Sequence, residues 1–416
     1  MIGWIIFFLL CTFLLWKIPA PKRKLWAFIF LYKLVFLWLF FYVHQKYYSH
    51  YQWDFWLIFL DASQLYDLLW QSPTEFLQTF FHKPISSEKF YLSEQPRAFF
   101  TAKLYLPFVL LTQKNWLLSS LYAVILYLIA FYFFAETLLK LFPKYEILVY
   151  GLMFLPSLTF WASGTSKEIW LMVCIWGVFA LHLQIFYLGK KSFYRFLLIV
   201  FLFFLLLKVK YYYAFGIAFA LLTERLIYFW QNEKFTKKLK WAFSLPILIS
   251  VVLLSFLHPN LHLDFFPQAL YENYRLTLQA SPQGSAVDLD LEPTWSSCLL
   301  NSYKGTWIGI FAPLSWQAKN TTMLMASVEN TTLVALMILS VLLFFIYHFT
   351  IPQRNLYLAV ASFLFVLLMA TFLGLSSPNF GALSRYRIGF SWILWLWIGM
   401  IWEKWLKTKI KTLRKN

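Results

Sequence analysis

Residues 44–71 read HQKYYSHYQWDFWLIFLDASQLYDLLWQ, and they begin the first long interruption in a chain that is otherwise almost continuously apolar. From Trp53 to Trp70, polar side chains recur among apolar ones at helical spacing. A helix of this kind lies along a membrane surface, with its aromatic face among the lipid headgroups. The stretch therefore predicts amphipathic surface helices within an external loop, 44–103, between membrane-spanning helices.

The composition of the whole chain indicates a membrane protein. Of its 416 residues, 61% are hydrophobic and 13% are charged, whereas a soluble domain carries roughly 25% charged residues. Apolar runs near the length that crosses a bilayer recur along the sequence. The fold class is therefore predicted to be all-α, a polytopic transmembrane helical bundle of about eleven spans.

Eleven spans can be assigned along the chain, all within one transmembrane domain, 1–416. They are 2–16, 25–43, one within 104–135, 147–163, 169–188, 195–207, 212–230, 240–257, 328–349, 355–375 and 386–403. The third can be preceded by a surface or re-entrant turn around Pro107 to Trp116. A second long loop, 258–327, is also predicted to be external.

The distribution of basic residues predicts the orientation. With the N-terminus outside, more than half of the 36 lysines and arginines fall in short cytoplasmic loops and in the C-terminal tail. This pattern satisfies the positive-inside rule, so the net charge of +18 needs no nucleic-acid partner. We expect a multi-pass protein of the bacterial cytoplasmic (inner) membrane, with its C-terminus in the cytoplasm and membrane lipids around it.

Five cations break this rule, because they are predicted at the outer ends of three helical hairpins. They are Lys167, Lys208, Lys210, Arg385 and Arg387. Converging at one depth, they could bind a lipid phosphate, since arginine offers a bidentate fork and lysine a point charge. The alternative is that each side chain extends separately to the headgroups. Tyr386, between the two arginines, joins the candidate binding residues.

Acidic residues near the same face are candidates for catalysis. Asp61 and Asp54 lie in the first external loop, where a carboxylate could take the proton of an acceptor hydroxyl. Asp61 could instead cap the second half of its helix, with Tyr66 near the same helix face. Glu168 and Glu329 begin predicted spans at the outer side and are candidate binding residues, although Glu168 could simply complement a helix dipole.

Three other charged residues are not assigned to the candidate site. Lys33 lies inside the second predicted span, where it either extends to the membrane surface or belongs to a polar seam. Asp67 and Glu75 are interpreted as solvated surface residues. The three cysteines are too few and too scattered for a disulfide framework. No metal-ligand spacing occurs, so no metal site is assigned, although a divalent metal remains a possible cofactor.

Two motifs give the chain a resemblance to known proteins. FLPSLTFWASGTSKE (154–168) is similar to the FPSxxFWxSGxxKE turn of uncharacterised bacterial polytopic proteins linked to envelope polysaccharides, and 312–330 resembles a second stretch of the same proteins. The long first loop with an acid and a tyrosine, followed by many spans and a late Arg-Tyr-Arg, resembles GT-C glycosyltransferases of the O-mannosyltransferase-like and aminoarabinose-transferase-like groups. The chain departs from the mannosyltransferase pattern in lacking a paired Asp-Glu, since Ala62 follows Asp61.

The resemblance implies a membrane glycosyltransferase. Its donor would be a polyprenyl-phosphate sugar whose phosphate is held by Arg385, Arg387 and Lys167. Asp61, or else Asp54, would act as the base on an external lipid-linked or envelope glycan acceptor. The alternatives are a polymerase of polysaccharide repeat units and a non-catalytic transporter or flippase of envelope lipids, which should show broken helices and charges near the bilayer centre.

Overall fold

The computed structural model describes residues 2–47, 54–82, 89–231, 258–281, 284–319, 321–347 and 353–413, together with residues 237, 252 and 256. The regular structure of these residues consists of α-helices and short 3₁₀ turns, with no β-strand among them. The all-α prediction is therefore confirmed. The chain divides into two compact units, Met1–Lys210 (unit 1) and Tyr211–Asn416 (unit 2).

Unit 1 is built from nine helices and the first part of a tenth. They are α1 (Ile2–Lys17), α2 (Ala20–Tyr47), α3 (Asp54–Gln71), α4 (Pro73–Phe81), α5 (Pro96–Thr112), α6 (Trp116–Leu141), α7 (Glu146–Gly151), α8 (Pro156–Trp161), α9 (Lys167–Phe186) and α10 (Phe193–Gln231). The long helix α10 bends at Lys210, whose backbone angles of φ −149° and ψ 80° are not helical. The bend lies between the predicted spans 195–207 and 212–230, which the structure joins in one bent helix.

Unit 2 contains the rest of α10 and seven further described helices. They are α11 (Phe266–Gln279), α12 (Trp295–Leu300), α13 (Ser302–Phe311), α14 (Thr321–Ile346), α15 (Gln353–Ser376), α16 (Phe380–Tyr386) and α17 (Ile388–Leu413). Helices α13 and α15 approach closely at glycines, since a Cβ added at Gly309 would meet the backbone of Ala370. Such small-residue contacts are typical of helix pairs in membranes.

Five of the described helices are long and apolar enough to cross a membrane. They cover Ala20–Tyr47, Trp116–Leu141, Lys167–Phe186, Met323–Ile346 and Leu356–Ser376. The chain is therefore a helical membrane protein, while the number of about eleven spans stays a prediction. The predicted span 240–257 lies almost entirely outside the described residues.

Helices α6 and α9 run parallel through the middle of unit 1. At their starts, the Trp116 indole Nε1 donates to the Thr165 hydroxyl over 3.3 Å. At their ends, the Gln184 amide Nε2 donates to the Thr137 hydroxyl over 2.9 Å. These contacts define two ends of unit 1, which we call the first end, where α6 and α9 begin, and the second end. A helix of the length of α9 separates them by about 30 Å.

Two neighbouring helices run in the opposite direction. Helix α2 begins at the second end, where Lys22 pairs with Glu136 over 2.8 Å, and it finishes at the first end. Helix α10 also starts at the second end, where Arg195 Nε donates to Gln184 over 3.0 Å. It reaches the first end at Lys210. The short basic loops around Lys22 and Arg195 thus share the second end, and the long 44–103 loop starts at the first.

The predicted span 147–163 is broken rather than continuous. It consists of α7, a 3₁₀ turn (Leu152–Phe154) and α8, which starts at Pro156. Proline has no backbone N–H, so the helix cannot continue through this residue with full hydrogen bonding. Helix α2 compensates, because Tyr32 donates its hydroxyl hydrogen to the Phe154 carbonyl oxygen over 3.1 Å. Backbone groups inside a bilayer require such internal partners.

The helices of the first loop differ from the membrane-spanning ones. Helix α3 buries one face at helical spacing and begins and ends close to the predicted amphipathic stretch. The buried residues of that face are Phe55, Ile58, Phe59, Asp61, Ala62, Leu65 and Leu68. The third predicted span starts only at Trp116, because a turn with positive φ at Gln113 (51°) and Lys114 (62°) separates α5 from α6.

Candidate functional site

An aspartate and a lysine meet at the first end of unit 1. Asp54 is the first residue of α3 and Lys167 is the first residue of α9. The Lys167 Nζ lies 3.5 Å from the Asp54 Oδ2, and the two side chains retain 16% and 37% of their exposure. The Asp54 carboxylate therefore lies beside a cation and keeps part of its surface accessible. We take this pair as the centre of the candidate site.

The turn between α8 and α9 fixes the geometry of the pair. Its residue Thr165 is fully buried, and its hydroxyl donates to the Phe55 carbonyl oxygen over 2.6 Å while accepting from Trp116 Nε1. Gly164 has a φ of +68°, which favours glycine, and a Cβ there would lie 3.0 Å from the Phe40 ring. The ASGTS sequence thus attaches the first turn of α3 to the start of α9.

Aromatic rings surround this attachment. Phe40 and Phe55 are buried and their ring centroids are 4.8 Å apart. The partly buried rings packed around them are Phe41, Trp56, Trp116, Phe160 and Trp161. Aromatic pairs of this kind add stability beyond their buried area. They form an apolar cluster around Phe55, the residue that follows Asp54 in α3.

A second ion pair follows directly in the sequence, but it is buried. The Lys210 Nζ lies 2.9 Å from the Glu168 Oε1, and the two side chains are 4% and 0% exposed. Lys210 is the residue at the bend of α10. Nearby, the Tyr105 hydroxyl donates to the Ser166 carbonyl oxygen over 2.8 Å. Glu168 and Lys210 therefore hold the fold together at the first end, and neither is open to a large substrate.

Asp61 occupies a different environment from Asp54. It is fully buried, and its two carboxylate oxygens accept the backbone N–H groups of Tyr91 and Leu92 over 2.9 and 3.0 Å. Burial raises the pKa of Asp61 to about 6, and the two backbone hydrogen bonds partly oppose this rise. The carboxylate attaches the 89–94 segment to α3. It does not cap a helix, because α3 is continuous through this position.

Other charged residues of α3 and α4 form exposed pairs. Asp67 accepts from Lys114 over 2.8 Å, and Glu75 accepts from Lys89 over 3.4 Å. The Lys114 ammonium also lies 5.6 Å from the centroid of the Tyr66 ring. The prediction of solvated surface acids thus missed these partners. Pairs at this level of exposure contribute little to stability.

Lys103 is a cation that the sequence reasoning missed. Its Nζ donates to the carbonyl oxygens of Phe80 and His82 over 2.7 and 3.3 Å. Burial lowers the pKa of Lys103 to about 8, and the positive charge of Lys208 contributes to the same shift. Lys208 is itself exposed. The signal in the sequence is a lone lysine in the apolar run AFFTAKLYLPF.

The predicted residues of unit 2 have a different arrangement. Arg387 is buried, and its guanidinium donates to the carbonyl oxygens of Gly309 (2.9 Å), Ile308 (3.3 Å) and Ala312 and to the Asn330 side chain (2.6 Å). These acceptors lie mainly at the C-terminal end of α13, so Arg387 satisfies backbone groups that the helix leaves open. Its predicted role as a phosphate ligand competes with this structural one.

The neighbours of Arg387 are more accessible. Arg385, Tyr386 and Glu329 are half-buried, and the Tyr386 carbonyl oxygen accepts the hydroxyl of Tyr213 over 2.5 Å. Glu329 lies close enough to Arg387 to interact with its charge. The binding roles of all three stay predictions.

Comparison with known proteins adds no relative: no protein-family profile, no curated protein and no solved structure matches the chain. Within the described residues there is also no group of three or more His, Cys, Asp or Glu side chains that could hold a metal ion.

Proposed function

We propose that the chain is a membrane glycosyltransferase of the GT-C type, which moves a sugar from a polyprenyl-phosphate donor to an external lipid-linked or envelope glycan. The observation that carries the proposal is the partly exposed Asp54 carboxylate beside Lys167 at the first end of unit 1. In this proposal the first end faces outwards from a bacterial inner membrane. The basic second end then faces the cytoplasm, as the positive-inside rule requires.

In the proposed reaction Asp54 is the general base. It takes the proton from the acceptor hydroxyl as that oxygen bonds to the anomeric carbon of the sugar. The bond between the anomeric carbon and the phosphate oxygen breaks, and the lipid phosphate leaves with the bonding electrons. Lys167 orients the Asp54 carboxylate before the transfer.

The geometry favours Asp54 over Asp61 as the base. Both oxygens of Asp61 are occupied by backbone N–H groups, and its side chain has no exposed surface. An acceptor hydroxyl must come within hydrogen-bonding reach of the base. Asp54, with 37% of its side chain exposed, meets this requirement, so the proposal gives Asp61 a structural role.

Cations are also needed for the leaving phosphate. In unit 1 the proposal uses Lys208 and Lys103, because the charge of Lys208 lowers the pKa of Lys103 and a bound anion would relieve this repulsion. Fixed cations aimed at the developing negative charge stabilise such a transition state. The roles of Arg385, Tyr386 and Arg387 in binding a phosphate stay predictions for unit 2, and the proposal for unit 1 does not depend on them.

The experiment compares two aspartates of one helix. Asp54→Asn should lower sugar transfer by about 100-fold or more, the usual effect of losing a general base. Asp67→Asn, which changes a partly exposed and paired residue of the same helix, should leave transfer unchanged. Transfer is measured with purified protein in vesicles and a radiolabelled polyprenyl-phosphate sugar, and envelope glycan is scored by gel mobility. Full transfer by Asp54→Asn would remove Asp54 from the mechanism.

A transporter of envelope lipids is the second candidate, and two observations favour it. The 146–161 segment is broken, and the buried Lys33 lies midway along α2. Broken helices and intramembrane charges are typical of transporters. Product analysis separates the candidates, because a transferase returns a glycan with an added sugar whereas a flippase moves an unaltered lipid between leaflets.

A further inference from the structure

Lys33 is a lysine in the middle of a membrane-spanning helix with no exposed surface. The side chain is buried within unit 1, which favours the polar seam over an extension to the membrane surface. Instead its Nζ donates to the carbonyl oxygens of Thr159 and Ala162 over 2.6 and 2.5 Å. The same nitrogen lies 4.3 Å from the centroid of the Tyr127 ring.

Both carbonyl groups belong to the end of the broken segment. Thr159 lies in the last turn of α8 and Ala162 follows that helix directly. Carbonyls at the end of a helix lack intrahelical partners, and the short α8 cannot continue because α9 starts a new direction at Lys167. In addition to Lys33, the Thr159 carbonyl oxygen accepts the Ser163 hydroxyl over 2.9 Å.

Lys33 has no counter-ion within the described residues. In the described part of the chain, Lys33 makes no ion pair, and its contacts are the two carbonyl oxygens and the aromatic face. A charge in the bilayer core costs at least about 2.5–3.5 kcal/mol without compensation. Carbonyl groups of broken helices bind monovalent cations in membranes, and aromatic faces bind ammonium ions in particular.

We propose that the Thr159 and Ala162 carbonyls and the Tyr127 ring form a binding site for primary ammonium ions, which Lys33 fills with its own side chain. Two oxygens and a ring suit an alkylammonium better than Na⁺, which requires a fuller shell of oxygen ligands. Removal of the lysine beyond Cβ then leaves a site for a free amine. The n-propylammonium ion has the three carbons and the nitrogen that the variant lacks.

The test uses Lys33→Ala in the full-length protein, purified in nanodiscs and melted with increasing n-propylammonium chloride. We expect a saturable rise of about 3 °C or more in the midpoint. Lys24→Ala is the matched control, since Lys24 is an exposed lysine of the same helix and its midpoint should not respond. Equal concentrations of 1-propanol test whether apolar filling alone explains the effect.

Lys33→Met provides the second arm, because its side chain fills the stem volume without a charge. Its midpoint should lie about 3 °C or more below that of the wild type, and n-propylammonium should not restore it. The proposal is overturned if Lys33→Ala responds no more than Lys24→Ala, or if 1-propanol gives the same rise. If Lys33→Ala does not fold, a Lys33→Met variant as stable as the wild type overturns it.

Discussion

Two consecutive residues, Lys167 and Glu168, begin the same helix and form opposite kinds of ion pair. Lys167 pairs with Asp54 over 3.5 Å, and both side chains stay partly exposed. Glu168 pairs with Lys210 over 2.9 Å, and both are buried. A helix turns by about 100° per residue. The Lys167 side chain therefore points to the surface at the first end of unit 1, and the Glu168 side chain points to the interior.

The difference in burial between the two ion pairs predicts different contributions to stability. A buried pair cannot lose one partner without leaving an unsatisfied charge in a medium of low polarity. An exposed pair contributes little, because water screens each charge. The two neighbouring residues of one KE sequence therefore form a buried pair that stabilises the fold and a pair that stays accessible, where the chemistry is proposed.

The largest expected effect tests the buried pair. Glu168→Gln should lower the free energy of unfolding by about 3–5 kcal/mol, because Lys210 is left as an unpaired buried charge. The double variant Glu168→Gln/Lys210→Met should recover most of this loss. Chemical unfolding in mixed detergent micelles measures both. If the single and the double variant were both as stable as the wild type, the pair would not contribute to the stability of the fold.

A second prediction concerns Asp61, the buried acid of the first loop. Its pKa is raised from 3.8 to about 6, so the folded protein binds the proton more tightly than the unfolded chain does. The stability from this proton is complete below about pH 4 and is lost as the pH rises through about 6, a change of about 2–3 kcal/mol. Unfolding between pH 4 and 7 should show this slope in the wild type and in Asp67→Asn but not in Asp61→Asn.

A mutation of Thr165, in the turn between α8 and α9, should lower stability moderately. Thr165→Val removes the hydroxyl that binds Phe55 and Trp116, which should cost about 1–2 kcal/mol because a buried carbonyl loses its donor. Sugar transfer should fall with it, since Asp54 is then held less firmly opposite Lys167. Thr165→Ser retains the hydroxyl and should restore transfer. A variant with normal transfer would argue against a positioning role.

The smallest stability effect is expected at the exposed pair. Asp54→Asn should change the free energy of unfolding by less than about 1 kcal/mol, although transfer is proposed to fall strongly. Glu168→Gln, in contrast, should give a large loss in the free energy of unfolding. A large loss of stability in Asp54→Asn would place this aspartate among the structural residues and weaken the contrast between the two pairs.

Several features of the fold could be predicted from local sequence patterns. The amphipathic spacing after Trp53 predicted α3, and the KVKYYY sequence predicted the break at Lys210. The break within 146–161 was missed, although Gly151 and Pro156 signal it. The partners of the acids could not be predicted, because Asp61 meets the Tyr91 and Leu92 backbone and Asp67 meets Lys114 only after the loop has folded back.

The sequence by itself determined that this is an α-helical membrane protein, because hydrophobicity and periodicity are properties of short segments. It also identified most of the charged residues that form the ion pairs and buried contacts described above. Only the tertiary structure decided which charges are buried and which are accessible, because burial depends on neighbours far away in the chain. Lys33 shows this most directly, since the carbonyls that hold it lie more than a hundred residues further along the chain.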